Sequence, residues 1–335
     1  MLTRHREQQK IDCVGSNFER HRPMSDIQLF RLRDGSTAVE LAGQAAPLEK
    51  NLQSLMEGQM EAFLGVRFLA SEYATGKTHR GRIDSLGIDE NGCPVIIEYK
   101  RHSTENVINQ GLFYLDWLMD HQAEFRWLVL EKLGKDTAGH IEWGGTRLLC
   151  IASDFTRYDK YAVQQIPRNI ELIRYKLFGD DLLLLELVNS QSVPDATAVK
   201  SAPAHSLPSE PNVLKPSGKD KSLAEQLALA TPEICALYEQ TTLLLLSLGD
   251  DVQKKSLKLY TAYRRLKNFA CVIVYPNRLL ITLKLNPNTV ALEENYIRDI
   301  SQVGHWGTGD LELCLRGPAD LQRAHALLER SYDEN

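Results

Sequence analysis

The chain has 335 residues, of which 43% are apolar and 25% charged, and its formal net charge at pH 7 is −5. This composition is typical of a globular protein of about two domains, and it excludes the fibrous and disordered classes. The longest apolar run, "TTLLLLSLG" at 241–249, is shorter than the roughly 18 residues of a membrane span. The acidic balance gives no direct indication of nucleic-acid binding, although it does not exclude local basic clusters.

Residues 1–24 are polar and show little periodicity, so we expect a flexible N-terminal extension there. The opening "MLTRHREQQKIDC" contains no hydrophobic signal core. The six cysteines are scattered singly, without a CxxC motif or a Cys/His cluster. We therefore expect a cytoplasmic protein with reduced thiols and without a structural zinc site.

Alternating runs around Asp34-Gly35 predict a β-hairpin in "DIQLFRLRDGSTAVEL". The next segment, "APLEKNLQSLMEGQMEAFLG", has the spacing of a helix that begins near Pro47 and ends at Gly65. Helices are also expected at about 104–122 and about 159–169. Strands are expected at "VRFLASEY", "GRIDSLGI", "PVIIEYK", "FRWLVL", "RLLCIAS", "IELIRYKLF" and "LLLLELV". The pattern predicts an α/β domain at 25–189, with a mixed sheet and flanking helices.

Residues 190–222 contain five prolines and no apolar periodicity, which predicts a Pro/Ser-rich linker. Residues 223–335 predict a smaller α+β domain, with helices, a hairpin in "ACVIVYPNRLLITLKL", a strand and a final helix at about 318–332. The basic stretch at 251–269 is interpreted as an amphipathic helix that either binds DNA or is a solvated surface. In the glycine-rich turn "GHWGTGD", we expect Trp306 to line a small pocket.

Three charged residues lie within the two strand-like runs of "GRIDSLGIDENGCPVIIEYK". Side chains alternate along a strand, so Glu98 and Lys100 share one face. A three-residue turn at 90–92, with Gly92 left-handed, places Asp84 directly opposite Glu98. Two facing carboxylates repel each other unless one is protonated or a cation lies between them. The pattern predicts a site for Mg²⁺ or Mn²⁺, or alternatively a structural ion pair on an exposed hairpin.

Two further features lie near this hairpin in the sequence. Gln110 and Tyr114 are four residues apart on the following predicted helix and share a face. They either orient the lysine or a phosphate, or are ordinary surface and core residues. Glu49, on the first predicted helix, is either a further metal ligand or an acid favoured by the helix dipole. Glu57 and Glu61 lie on the same helix and are alternatives to it.

Residues 45–130 resemble the core of the PD-(D/E)XK nuclease superfamily, on its RecB-like and NucS-like side. That pattern has an acid on the first strand of a hairpin, Glu-x-Lys on the second, Gln-x-x-x-Tyr on the following helix and a glutamate on the preceding helix. The matching positions here are Asp84, Glu98, Lys100, Gln110, Tyr114 and Glu49. The resemblance implies a restriction-endonuclease-like fold.

Almost the whole chain is similar to an uncharacterised prokaryotic family that joins a nuclease-like half to a C-terminal domain of unknown function. The phrases that carry this similarity are "NVINQGLFYLDWL", "QIPRNIELIRYKLFGDDLLLLELV" and "GHWGTGDLEL". That domain is sometimes called a predicted transport protein. The sequence gives the name no support, because it contains no membrane segment.

The resemblance implies a metal-dependent nuclease that hydrolyses phosphodiester bonds in DNA, in repair or defence, and NucS-like members imply a homodimer. It assigns Mg²⁺ or Mn²⁺ to Asp84, Glu98, the Tyr99 carbonyl and Glu49. It assigns Lys100 to positioning the attacking water, and Gln110 and Tyr114 to shaping the site.

Basic residues around the hairpin are candidates for phosphate contacts, or else simply solubilise the surface. They are Lys77, Arg80, Arg82, Arg101 and His102, with Arg168, Arg174 and Lys176 further along. Two alternatives to a nuclease stay open. One is a catalytically silent module that binds nucleic acid or protein, and the other is a ligand-sensing C-terminal domain that regulates the nuclease half.

Overall fold

The computed structural model describes residues 27–33, 37–76, 80–101, 107–191 and 222–335. The predicted extension at 1–24, nearly all of the predicted linker, and the candidate residues Lys77 and His102 lie outside the described residues. The chain divides into two compact units, Met1–Ala42 and Gly43–Asn335.

The first unit contains the predicted hairpin. Strands β1 (Leu29–Arg33) and β2 (Thr37–Leu41) pair antiparallel, with Leu29 opposite Leu41. The register follows from the alternating pattern of both runs, and the Asp34-Gly35 turn itself lies outside the described residues.

The N-terminal half of the second unit, residues 43–191, is built on a mixed sheet. Its strands are β3 (Gly43–Gln44), β4 (Val66–Ala74), β5 (Arg82–Asp89), β6 (Pro94–Lys100), β7 (Arg147–Ala152), β8 (Asn169–Phe178) and β9 (Leu182–Gln191). Its helices are α1 (Glu49–Gly58), α2 (Met60–Leu64), α3 (Val107–Asp120), α4 (Gln122–Leu133), α5 (Lys135–Gly139) and α6 (Arg157–Gln164), with a 3₁₀ turn at Trp143–Gly145.

In the described part of this half the sheet has seven strands, in the order β3-β8-β7-β6-β5-β4, and β9 pairs with β8. Strands β4, β5 and β6 are antiparallel, whereas β6, β7 and β8 are parallel. The parallel pair β6 and β7 needs a crossover connection, which contains α3 and α4. This mixed sheet with flanking helices confirms the predicted restriction-endonuclease-like fold class.

Strand β6 lies inside the sheet and is buried along its whole length. Val95 and Ile97 pack in a hydrophobic layer with α1 and α2, and Ile96 packs in the opposite layer with α3 and α4. Because both faces are covered, Glu98 and Lys100 are held inside the protein rather than on an exposed hairpin. Buried ionised groups are costly unless they have polar or charged partners.

Three predicted elements of this half are wrong in type or extent, and one is the helix predicted at about 159–169, which ends at Gln164 because β8 begins at Asn169. The run "FRWLVL" forms part of α4 rather than a strand, because Phe125, Leu128 and Val129 recur at helical spacing and pack into the core beneath α3. The single helix predicted to end at Gly65 is interrupted at Gln59, between α1 and α2. Gly65 does end α2, with φ of +62°, the left-handed conformation that favours glycine at a helix end.

The C-terminal half of the second unit, residues 222–335, has a sheet of its own. Its strands are β10 (Gln253–Ser256), β11 (Thr261–Arg264), β12 (Asn268–Tyr275), β13 (Arg278–Leu283), β14 (Ile297–Asp299) and β15 (Leu311–Leu315). Its helices are α7 (Leu223–Leu229), α8 (Pro232–Ser247) and α9 (Pro318–Glu334), with a 3₁₀ turn at Pro287–Thr289. Within these residues the strand order is β10-β11-β12-β13-β15-β14, antiparallel throughout. Helices α8 and α9 cover one face, which confirms the α+β prediction.

The basic segment at 251–269 is not the predicted helix. It forms the antiparallel pair β10 and β11, with Lys254 opposite Tyr263. Tyr263 and Arg264 are both buried. The segment becomes a strand pair because β11 extends the sheet beside β12, and tertiary pairing of this kind overrides local helical spacing.

The two halves contact each other through the turn of the β5–β6 hairpin. The Asn268 side-chain amide donates to Asn91 Oδ1 at 2.7 Å, and Tyr260 Oη donates to the same oxygen at 3.2 Å. The Asn268 N–H donates to Glu90 Oε2 at 2.9 Å, and Lys284 pairs with Glu90. The hairpin thus carries Asp84 and Glu98 near one end and the C-terminal half at the other.

A buried ionic network reinforces this contact. Arg147 pairs with Asp89 at 3.1 Å and with Glu171 at 2.8 Å, and Arg264 of the C-terminal half reaches Glu171 at 3.4 Å. All four side chains are buried, so each relies on the others for charge compensation. Among the helices described above, none is both long and apolar enough to cross a membrane.

Candidate functional site

The β5–β6 hairpin has the predicted register. Ser85 lies opposite Ile97, and Gly92 is left-handed, with φ of +78°. Continuing the register by one residue places Asp84 opposite Glu98. The three-residue turn and its glycine therefore determine which side chains meet at the far end of the hairpin.

Asp84 and Glu98 are held by backbone hydrogen bonds that cross the strand pair. The Asp84 N–H donates to Glu98 Oε1 at 3.2 Å, and the Tyr99 N–H donates to Asp84 Oδ2 at 3.0 Å. The Asp84 carbonyl accepts a hydrogen bond of 2.8 Å from Gln53 Nε2 of α1. The pair, which we call the carboxylate pair, is thus fixed in place without help from a cation.

The electrostatics of the carboxylate pair are unfavourable for two negative charges. Glu98 is 0% exposed, and its Oε2 atom is buried with no hydrogen-bond partner among the described residues. Burial raises the pKa of Glu98 to about 9, and the charge of Asp84 contributes to the rise. Burial also raises the pKa of Asp84. At neutral pH the pair therefore holds a proton, unless a cation takes that proton's place.

Lys100 lies two residues beyond Glu98 on the same face of β6. Its ammonium group donates to Glu49 Oε1 at 3.2 Å, and the Arg101 N–H donates to Glu49 Oε2 at 3.3 Å. Both oxygens of Glu49 are therefore engaged at the C-terminal end of β6. The structure pairs Glu49 with the lysine, and the metal-ligand role that the resemblance implies for Glu49 stays a prediction.

Gln53 is a site residue that the sequence analysis did not identify. It is 4% exposed, and besides the Asp84 carbonyl its Nε2 atom contacts Glu57 Oε1 at 2.9 Å and Ser71 Oγ at 3.1 Å. Glu57 Oε1 also accepts from Ser85 Oγ at 2.7 Å. The available signal was spacing, because Gln53 lies four residues after Glu49 and four before Glu57 on the same helical face. Glu61, the second alternative to Glu49 from the sequence analysis, is exposed on α2.

The side chains of Gln110 and Tyr114 contact each other, and the Tyr114 hydroxyl also contacts the backbone at the start of β5. Tyr114 Oη accepts the Arg82 N–H at 3.1 Å and a long hydrogen bond of 3.5 Å from Gln110 Nε2. Gly81 is packed so closely that an added Cβ would lie 2.4 Å from Tyr114 Cε1. This contact braces the chain three residues before Asp84.

The predicted basic residues differ in their surroundings. Arg80 and Arg101 are exposed, and Arg82 pairs with Glu72 at 2.6 Å. The prediction that Arg174 contacts a phosphate is wrong. It is buried and paired with Asp154 at 2.9 Å and Glu186 at 2.8 Å, because it lies on the internal strand β8.

The donor set of the carboxylate pair is small. Within the described ranges, no group of three or more His, Cys, Asp or Glu side chains is arranged to hold a metal ion. The pair offers two carboxylates, one of which has a buried oxygen without a partner among the residues described. Mg²⁺ is usually bound through one or two carboxylates and keeps several waters. The residues present fit a hydrated divalent cation of this kind, and they do not fit an ion enclosed entirely by protein.

Residues 224–335 match the family model of a domain of unknown function, DUF5655. An uncharacterized protein of Haemophilus influenzae is 27% identical to this chain over 314 residues, which cover 92% of this chain and 100% of that protein.

Two solved structures are also similar to part of this chain. A repair endonuclease from Pyrococcus abyssi matches 40% of this chain and 49% of its own length at 18% identity, with a TM-score of 0.26. EndoMS, in a complex with double-stranded DNA, matches 44% of this chain and 64% of its own at 18% identity, with a TM-score of 0.23. The chain thus spans less than two thirds of either solved structure.

A cavity of about 500 Å³ lies where the two halves of the second unit meet. Trp306 lines it, as predicted, together with His140, whose ring lies edge-on at 5.9 Å from that of Trp306. Asn91 and Tyr260 are part of the same wall. The cavity adjoins the hairpin turn rather than the carboxylate pair, at the opposite end of β5.

Proposed function

We propose that this chain is a metal-dependent nuclease that hydrolyses phosphodiester bonds in DNA, with the carboxylate pair as its metal-binding group. The observation that supports the proposal is Glu98 Oε2, a buried oxygen without a partner among the described residues, beside a second carboxyl whose pKa is also raised. A stable fold keeps such an arrangement at a cost. A divalent cation would relieve both the repulsion and the unpaired oxygen.

Asp84 and Glu98 would hold Mg²⁺ or Mn²⁺, and the Tyr99 carbonyl is the further ligand that the family resemblance suggests. When bound, such a cation supplies Lewis-acid stabilisation of the phosphodiester. Lys100, held by Glu49 at 3.2 Å, would orient the attacking water or a phosphate oxygen. Gln53 keeps the Asp84 backbone in position, and Tyr114 with Gln110 braces the start of β5.

DNA cleavage tests this proposal. Purified protein is incubated with double-stranded, single-stranded, branched and mismatched DNA in Mg²⁺, in Mn²⁺ and in EDTA. We expect metal-dependent cleavage of at least one substrate, reduced on the order of 100-fold or more in Asp84→Asn and in Lys100→Met. Asp180→Asn and Lys135→Met change exposed residues outside the carboxylate pair and its described contacts, and they serve as matched controls.

Two results would contradict the proposal. If the protein binds DNA but cuts no substrate in either metal, the chain is a binding module with a silent site. If cleavage persists in Asp84→Asn and in Lys100→Met, the activity belongs to another site or to a contaminant.

A further inference from the structure

The C-terminal sheet carries a second pocket on the face opposite α8 and α9. Its volume is about 230 Å³. The residues that matter here are Arg278, Leu280, Arg298, Glu312, Cys314 and Arg316. We call this site the arginine pocket.

Strand register explains why these side chains meet. Leu280 of β13 lies opposite Cys314 of β15, and Arg298 of β14 lies opposite Glu312 of β15. Arg278 and Arg316 are each two residues from this Leu280–Cys314 pair along their own segments. Side chains two residues apart on a strand share a face. The convergence is therefore a property of the sheet and not of a mobile loop.

The charges of the arginine pocket do not balance. Arg298 is neutralised, because its Nε atom donates to Glu312 Oε1 at 2.5 Å and Glu312 is 5% exposed. The Arg316 guanidinium donates to a neutral carbonyl, that of Asn295, at 2.9 Å. Two guanidinium charges are left around one carboxylate that is already paired.

Arg278 has a donor that lacks an acceptor. The Arg278 guanidinium lies 5.0 Å from the centre of the Tyr275 ring. The ring positions the guanidinium but does not neutralise its charge. Its Nε atom is buried and has no hydrogen-bond partner within the described residues. A buried donor without an acceptor costs free energy, and no described acidic side chain neutralises Arg278, which itself lines the pocket.

Acidic residues near the pocket compensate for only part of this charge. Arg323 binds Glu293 at 2.6 Å and approaches Asp320 at 4.0 Å. Asp320 also accepts the backbone N–H of Arg316 at 2.8 Å. Glu293 is neutralised by Arg323, whereas Asp320 keeps its charge, so the three arginines of the pocket exceed the two nearby carboxylates, Glu312 and Asp320, by one positive charge.

We propose that the arginine pocket binds a phosphate group. Guanidinium groups present planar forks of N–H donors that match phosphate oxygens, and buried Leu280 below them strengthens the attraction by excluding water. The phosphate comes either from the backbone of a DNA strand or from a free phosphate or mononucleotide. The DNA source rests on the proposed nuclease function, whereas the free source does not.

This pocket gives the C-terminal half a role that the basic segment at 251–269 does not fulfil. In that segment Arg264 is buried against Glu171 and Lys255 donates to the Gly144 carbonyl, so these charges serve the contact between the two halves. The arginine pocket comes from later strands, where single arginines are separated by tens of residues.

The test uses the full chain in EDTA, so that binding is measured without cleavage. The double variant Arg278→Gln/Arg316→Gln is compared with Arg330→Gln, which removes a half-buried arginine of α9 that pairs with Glu334. Fluorescence anisotropy gives the Kd for labelled duplex and single-stranded DNA at several salt concentrations. Thermal unfolding compares phosphate with chloride at equal ionic strength, and AMP is added as a mononucleotide probe.

If the source is DNA, the double variant loses about tenfold in affinity for the duplex and the slope of log Kd against log salt falls by about 0.9, the value for one lost phosphate contact. Arg330→Gln keeps the wild-type values. If the source is a free phosphate, DNA binding is unchanged, but the rise in Tm with phosphate or AMP is lost in the double variant only. Wild-type behaviour of the double variant in both assays overturns the proposal.

The single variant Arg316→Gln keeps the test informative if the double variant fails to fold. Arg316→Gln removes an exposed side chain whose described hydrogen bond is to one carbonyl, so we expect it to fold and to lose part of the same response. Asp84→Asn separates the two proposals of this work, because it abolishes cleavage and leaves the phosphate response intact. Loss of cleavage without loss of phosphate binding therefore bears on the carboxylate pair alone.

Discussion

The Asp84 N–H donates to Glu98 Oε1 at 3.2 Å, while the N–H of the residue after Glu98 donates to Asp84 Oδ2 at 3.0 Å. Each carboxyl is thus held by the backbone of the opposite strand. This arrangement fixes one oxygen of each group and leaves Glu98 Oε2 without a partner among the described residues. The carboxylate pair is preorganised for a cation.

The first prediction concerns the pH dependence of stability without metal. The pKa of Glu98 rises from 4.5 to about 9 on folding, so between these values the folded state binds more protons than the unfolded state. The free energy of unfolding therefore falls as pH rises through this window, by up to about 1.4 kcal/mol per pH unit. We expect Glu98→Gln to flatten this slope, as measured by urea unfolding in EDTA from about pH 6 to 9. The control Glu239→Gln changes an exposed residue of α8 and should keep the wild-type slope. An unchanged slope in Glu98→Gln would contradict the prediction.

The second prediction separates two roles for Glu49. Because both its oxygens accept hydrogen bonds from Lys100 and Arg101, Glu49→Gln should leave Mn²⁺ affinity within about threefold of wild type and reduce cleavage about tenfold through the lysine. Asp84→Asn should lose Mn²⁺ affinity outright. Calorimetric titration with Mn²⁺ and the cleavage rate distinguish the two. A loss of Mn²⁺ affinity in Glu49→Gln equal to that in Asp84→Asn would make Glu49 a metal ligand instead.

The third prediction concerns the brace at the start of β5. An added methyl group at Gly81 would lie 2.4 Å from Tyr114 Cε1, so Gly81→Ala should displace the tyrosine and cost about 1–3 kcal/mol of stability. Gly58→Ala, where nothing lies within 4 Å of the new methyl, should be neutral or stabilising. Denaturant midpoints of the two variants give the comparison. Equal stability of both would show that Tyr114 yields without cost.

The fourth prediction concerns the buried ionic network between the halves. Removing Arg264 leaves Glu171 with one partner fewer inside the protein, so Arg264→Met should cost about 3–5 kcal/mol. The neighbouring Arg265 makes a half-exposed pair with Asp251 at 2.6 Å, and Arg265→Met should cost about 1 kcal/mol or less. Thermal unfolding measures both. A similar small loss for each variant would mean that the network contributes little to holding the two halves together.

The hairpin was predictable from sequence because its determinants are local. A three-residue turn, a left-handed Gly92 and alternating side chains fix the register that places Asp84 opposite Glu98. The degree of burial was not predictable from this segment. Glu98 becomes fully buried because helices cover both faces of β6 and because β7, about fifty residues further along the chain, pairs with β6.

Errors occurred where one apolar pattern fits two structures. Phe125, Leu128 and Val129 suit a buried strand by composition and a helix by spacing, and packing against α3 selects the helix. The segment at 251–269 has helical spacing but forms strands, because pairing with β12 decides its conformation. Gln53 was missed because its helical spacing from Glu49 and Glu57 does not by itself single out a site residue until the contact with the Asp84 carbonyl is known.

The most direct test of the carboxylate pair is an anomalous difference map from crystals soaked with Mn²⁺. We predict a peak between Asp84 and Glu98, within coordination distance of an oxygen of each, and no such peak in Asp84→Asn. Manganese bound only elsewhere, or wild-type crystals in which Glu98 Oε2 stays without a partner at saturating Mn²⁺, would contradict the account.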